Sequence, residues 1–157
     1  CTKYFLQLEN RNYKTKYIKT LNLENLTIAS PDMGGSKRAY AYSKYLQSDV
    51  VICYKQRLKA NKISSMELIG DVRGKNVIIV DDMIDTGGTL TKAADLMIDE
   101  GALSVRAICT HPILSGKAYE RIEKSKLLEL IVADTIPLKR ESSKMVLLIL
   151  MFLKNRF

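Results

Sequence analysis

Residues Asn76 to Thr91 read NVIIVDDMIDTGGTLT, and this run decides the fold. Val77, Ile78, Ile79 and Val80 are apolar, mostly β-branched and do not alternate with polar residues. Four such residues are too few for a helix and suit a strand buried on both faces of a parallel sheet. Asp81, Asp82 and Asp85 follow, then Thr86, Gly87, Gly88 and Thr89, then a helical pattern from Leu90 through Leu96, Met97 and Glu100. A buried strand, an acidic bend, a glycine turn and a helix start in that order predict a ligand crevice at the carboxyl end of a strand.

The chemistry of the loop follows from its residue types. Gly87 and Gly88 let the backbone take positive φ and bring N–H groups close to a ligand. Thr86 and Thr89 add hydroxyls, and the helix start adds unpaired N–H groups and a positive dipole end. Together they make a site for one phosphate. Asp81 and Asp82 would repel that phosphate, so they suit vicinal ribose hydroxyls or a hydrated Mg²⁺. Taken singly, Asp81 and Asp85 would read as caps and turn formers around an ordinary βα turn. The ordered set directly after a buried strand favours the ligand site. It is neither a Walker A loop, since no Gly-Lys-Ser/Thr closes it, nor a GxGxxG fingerprint.

Outward from this run, Leu26 to Ala29 reads as another buried strand, ending in Ser30-Pro31-Asp32-Met33-Gly34-Gly35-Ser36. Ser36 is an N-cap candidate for a helix through Gln47. This second strand–glycine turn–helix unit predicts a second pole of the same cleft. Val50 to Cys53 reads as a strand, and the cationic stretch Tyr54 to Lys62 as a loop without strand or helix period. Met66 to Ile69 suits a short strand, Ser104 to Cys109 and Leu128 to Ala133 two more, and Lys117 to Glu123 a helix, with Gly101 a C-cap candidate. The alternation predicts an α/β fold, an open, mostly parallel sheet flanked by helices with right-handed connections. His111, the single histidine, reads as a binding or orienting residue rather than a general base. Cys1 to Thr20 shows no clear period and is expected to be a tail or a poorly formed strand. Met145 to Leu153 is an apolar run beside Lys and Arg, expected as a sticky strand or the product of a disrupted reading frame, with an aggregation risk.

The 157 residues fit one domain. A net charge of +8 fits anionic ligands, and the scattered placement of the lysines favours phosphates and solvent over nucleic acid. Cys1, Cys53 and Cys109 form no CxxC spacing, so the expectation is small buried hydrophobes in a reducing cytoplasm. No apolar run approaches the ~20 residues of a membrane span. A start at Cys1 rather than Met suggests a fragment.

VIIVDDMIDTGGT resembles the 5-phosphoribosyl-1-diphosphate (PRPP) binding motif of type I phosphoribosyltransferases. LTIASPDMGGSKRA, VVICYKQR, ELIGDVRGKNVIIVDDMIDTGGT, HPILSGKAYERI and ADTIPL, in this order, narrow the resemblance to the ribose-phosphate pyrophosphokinase family. It covers about Leu21 to Arg140 and corresponds to the family's C-terminal half, leaving residues 1–20 and 141–157 as divergent ends. The resemblance implies a type I phosphoribosyltransferase-like fold and a homo-oligomeric enzyme moving pyrophosphate from ATP to ribose 5-phosphate to give PRPP. It assigns Asp85, Thr86, Gly87, Gly88 and Thr89 to the 5-phosphate and Asp81 and Asp82 to the ribose hydroxyls. Asp32, Gly34 and Gly35 fall to the pyrophosphate end, with Asp32 assisting Mg²⁺. Lys55 and Arg57 match a pair on a mobile loop that clamps the moving phosphoryl groups. The family's N-terminal half carries an Asp-Leu-His segment with a catalytic histidine, absent from this sequence, so the chain alone is expected to bind better than it turns over. A base-transferring phosphoribosyltransferase lacks support from any base-specificity segment. A PRPP-sensing or RNA-binding regulator could dispense with Lys55 and Arg57, and both are present.

Overall fold

The computed structural model describes residues 2–56 and 65–148. Its centre is β4 (Asn76–Val80), paired in parallel with β1 (Leu26–Ser30) on one side and β6 (Ser104–Cys109) on the other. Beyond β1 lie β2 (Asp49–Gln56) and β3 (Ser65–Ile69); beyond β6 lie β8 (Glu129–Ala133) and β9 (Met145–Leu148). The seven strands run in the order β3-β2-β1-β4-β6-β8-β9, all parallel except the hairpin of β2 with β3. The open, mostly parallel sheet expected from the sequence is therefore present.

Alternate residues of each strand feed two cores, as period-two geometry requires. Val77 and Ile79 of β4, Ala107 of β6 and Leu130 of β8 pack under α3 (Gly88–Asp99) and α4 (Ala118–Lys124) through Leu90, Met97 and Ile122. Ile78, Val80, Ile108 and Ile131 pack on the opposite face with Ala39 and Tyr42 of α2 (Ser36–Leu46) and Ile18 of α1 (Thr2–Thr20). Because both faces are covered, the central strands are mostly apolar on both sides, and Val77 to Val80 of β4 form a continuous run.

Three expectations need correction. Cys1 to Thr20 is neither tail nor strand: residues 2–20 form α1. Among the described side chains of α1 the buried ones are Lys14, Thr15 and Ile18, helical in spacing but mostly polar, so they give no hydrophobic period. Thr15 donates its hydroxyl to the Arg11 carbonyl, 2.9 Å. The β2 strand does not stop at Cys53, because Tyr54 and Lys55 pair with Glu67 and Met66 of β3; cross-strand pairing overrides a polar local sequence. Ser36 does not cap α2, whose N-cap is Gly35 with no side-chain bond.

The apolar C-terminal run contributes β9, with Val146 packed on the α1–α2 side. Cys53 and Cys109 are buried and free. Among the described residues no helix is long and apolar enough to cross a membrane.

Candidate functional site

From β1 the chain passes outward through β2 to β3, and from β4 it passes the opposite way through β6 and β8 to β9. The loops leaving β1 and β4 therefore diverge from a shared crevice, the switch point at which open α/β sheets take ligands. Both glycine turns singled out in the sequence sit there.

After β1, the Ser30 hydroxyl donates to the Asp32 carbonyl at 2.6 Å, and the Gly35 N–H donates to Asp32 Oδ1 at 2.9 Å. The turn leaves no room for a side chain at Gly35: a Cβ there would lie 2.5 Å from Ser30 Oγ. Asp32 itself is exposed, and a carboxylate has two oxygens, so one remains to face a ligand. Among the described residues no three His, Cys, Asp or Glu side chains gather as an all-protein metal site.

After β4, the Asp81 N–H still bonds the Ile108 carbonyl at 3.0 Å. The Asp82 N–H then folds back onto Asp81 Oδ1 at 2.7 Å. Arg38, in the first turns of α2, reaches across the crevice to Asp81 Oδ1 at 3.2 Å and Asp82 Oδ2 at 3.7 Å. Burial raises the Asp81 carboxyl above its ordinary value, opposed by the Asp82 N–H and by Arg38 and reinforced by Asp32 and Asp82. Asp32 and Asp82 thus act electrostatically on Asp81, and Arg38 is the cation shared by Asp81 and Asp82.

The next residues, β5 (Met83–Ile84), pair with β7 (His111–Pro112). Asp85 is held from its far side by Ser115, whose hydroxyl donates to Asp85 Oδ1 and whose N–H donates to the Asp85 carbonyl. Arg121 donates to the Thr86 carbonyl at 2.8 Å. Gly87 sits at φ +71° and α3 begins at Gly88 without a side-chain cap. The first intrahelical bond is Thr91 N–H to Gly87 O, so the amides of Gly88, Thr89 and Leu90 have no acceptor within the helix. Thr86 and Thr89 are exposed beside them. Open amides, two hydroxyls and a helix dipole form an anion cup.

The structure thus brings Asp32, Gly34, Gly35, Asp81, Asp82, Asp85, Thr86, Gly87, Gly88 and Thr89 to one crevice. Lys55 is exposed on β2, opposite Met66, and on a strand rather than the loop expected for it. Arg57 lies outside the described residues. His111 Nδ1 is 3.0 Å from Thr135 Oγ1, so the ring is oriented by the segment after β8. Arg38, Ser115 and Arg121 were not singled out from sequence, because each acts on a loop distant in the chain.

Residues 31–150 match the phosphoribosyl synthetase-associated domain family. The chain belongs to this family. Among its relatives, a ribose-phosphate pyrophosphokinase of Wolinella succinogenes is 55% identical over 132 residues, covering 84% of this chain and 43% of that protein. One of Porphyromonas gingivalis is 51% identical over 130 residues, covering 83% and 42%. The chain therefore spans less than half the length of the curated relatives it matches. The crystal structure of phosphoribosylpyrophosphate synthetase from Mycobacterium smegmatis superposes with a TM-score of 0.83 at 30% identity, over 92% of this chain and 47% of that one. Adenine phosphoribosyltransferase of Giardia lamblia, at 18% identity and TM-score 0.64 over 78% of this chain and 75% of that one, shares the fold. The family resemblance read from the motifs is borne out, and so is the phosphoribosyltransferase-like fold.

Proposed function

We propose that this chain is the phosphoribosyl-binding part of a ribose-phosphate diphosphokinase, an enzyme that makes PRPP from ATP and ribose 5-phosphate. The observation that carries the reading is the uncapped start of α3, where the Gly88, Thr89 and Leu90 amides precede the first intrahelical bond, downstream of the Asp81–Asp82 bend. An anion cup set beside a pair of partly exposed carboxylates matches a sugar phosphate, whose two ends ask for opposite charge.

In this reading the 5-phosphate sits on the Asp85–Thr89 loop, where Ser115 holds the Asp85 carboxylate. Asp81 and Asp82 accept hydrogen bonds from the ribose hydroxyls, which fixes the anomeric hydroxyl in the crevice. That oxygen attacks the β-phosphorus of ATP. The new O–P bond forms as the bond from the β-phosphorus to the oxygen bridging it to the α-phosphate breaks, AMP leaves with that electron pair, and the proton of the anomeric hydroxyl is released. Little covalent work falls to the protein, so rate comes from positioning and from charge placed where it develops. Lys55 and Arg57 supply that charge on the moving phosphoryl groups. Mg²⁺, assisted by Asp32, would neutralise phosphate charge. A homo-oligomeric, cytoplasmic setting belongs to the same reading and agrees with two buried free thiols.

Thermal denaturation with ribose 5-phosphate tests it. Ligand should raise the melting temperature, and Asp85→Ala or Thr89→Ala should remove the rise; an unchanged rise in both variants would refute the loop assignment.

A further inference from the structure

Lys14 is only 2% exposed, yet it is a lysine on the inner face of α1. An apolar residue at this position would hold the helix to the sheet without the cost of desolvating an amine. The amine is not idle. Its Nζ donates to the Thr110 hydroxyl at the end of β6. The Thr110 N–H donates to the Asp82 carbonyl at 3.1 Å, and the His111 N–H donates to the same oxygen at 2.8 Å. The Thr110 carbonyl in turn accepts the Thr135 hydroxyl at 2.6 Å. A continuous run of hydrogen bonds thus leads from α1 to the acidic bend. The charged or titratable groups facing Lys14 are the Asp81 and Asp82 carboxylates after β4, Cys109 on β6 and Arg38 on α2.

We propose that Lys14 is a positioning residue for the Asp81–Asp82 bend, gripping it from behind through Thr110 and coupling the docking of α1 to occupancy of the ligand crevice. The inference rests on the ribose 5-phosphate reading above. Coupling between sites is reciprocal. A ligand at the bend therefore tightens α1, and loss of the Lys14 link weakens the ligand.

Lys14→Met keeps the length and apolar stem while deleting charge and donor. If Lys14 only filled space, the variant would match or exceed the wild type in both stability and affinity, since an unneeded buried charge is removed. Positioning gives a split result instead. The variant stays folded by circular dichroism, its amides at Thr110 and His111 exchange faster than in the wild type, and its Kd for ribose 5-phosphate rises about 5-fold or more. In the wild type alone, ribose 5-phosphate slows exchange around Thr15 and Ile18. A folded Lys14→Met with unchanged Kd and unchanged exchange overturns the proposal. Should Lys14→Met not fold, Thr110→Val breaks the same link from the other end and must show the same losses. If the wild type binds no ribose 5-phosphate, the functional reading fails on its own. Exchange at Thr110 and His111 in the ligand-free proteins then decides the positioning role.

Discussion

Arg38 lies with a guanidinium nitrogen 3.2 Å from Asp81 Oδ1, joining the two glycine-turn units across the crevice. Its second nitrogen is 3.7 Å from Asp82, so one cation serves two carboxylates and neither repels the other unopposed. This makes the acidic bend compatible with a phosphate bound a few residues downstream.

Removing Arg38 should therefore show in the pH profile. Burial already raises Asp81 above its usual 3.8, so folding favours its protonated form and its contribution to stability declines as pH rises through that window. Arg38 narrows the window. Arg38→Met should widen it, giving a steeper loss of stability from acid toward neutral pH than in the wild type. Denaturant midpoints across pH check this; parallel profiles would show that Arg38 leaves the Asp81 carboxyl unaffected.

Lys14 gives the opposite slope. Desolvation lowers its amine from 10.5 to about 8, so between these values the unfolded chain carries the extra proton and stability rises with pH. The gain relative to Lys14→Met should approach on the order of 3 kcal/mol by the top of that window. Equal midpoints for the two proteins at both ends of the window would contradict a charged, buried Lys14.

Gly35 and Gly87 should both resist alanine, for different reasons. At Gly35 the added Cβ meets Ser30 Oγ at 2.5 Å, and relief requires Ser30 to abandon the Asp32 carbonyl, a loss of roughly 1–3 kcal/mol. At Gly87 the nearest atoms, on Ala118, are 3.7 Å away; only the positive φ is strained, at about 1–2 kcal/mol. A Ser30→Ala background separates the two: it should shrink the cost at Gly35 and leave that at Gly87 unchanged in a double-mutant cycle.

Arg106 of β6 faces Glu129 of β8 in register, with Nε and Oε1 3.5 Å apart, buried and without a hydrogen bond. Such a pair contributes little net stability, but either member alone leaves an unmatched charge. Arg106→Leu or Glu129→Leu should each cost about 2 kcal/mol or more, and the double replacement should recover most of it. Additive losses in chemical denaturation would argue against coupling.

The sequence was most readable where one short segment carried its own physics. β4 and the loop after it lie within a continuous stretch, and burial on both faces wrote Val77 to Val80 of β4 and Leu130 to Ala133 of β8 as unbroken apolar runs. What stayed hidden depends on distant partners. Arg38 is 43 positions from Asp81, and nothing about a cation after a glycine pair announces where it points. In α1 the inner stripe of Lys14, Thr15 and Ile18 carries polar groups where an amphipathic pattern would carry apolar ones. The outer half of β2 is polar because its form comes from the β3 ladder, not from local propensity.

The small ladder between Met83–Ile84 and His111–Pro112 bears on how a ligand would be met. Together with the Asp82 carbonyl held by two amides and Asp85 held by Ser115, it rivets the rim on both flanks before anything arrives. A rim already immobilised surrenders little freedom on capture. Association should then show a single fast kinetic phase, with no slow ordering step after encounter.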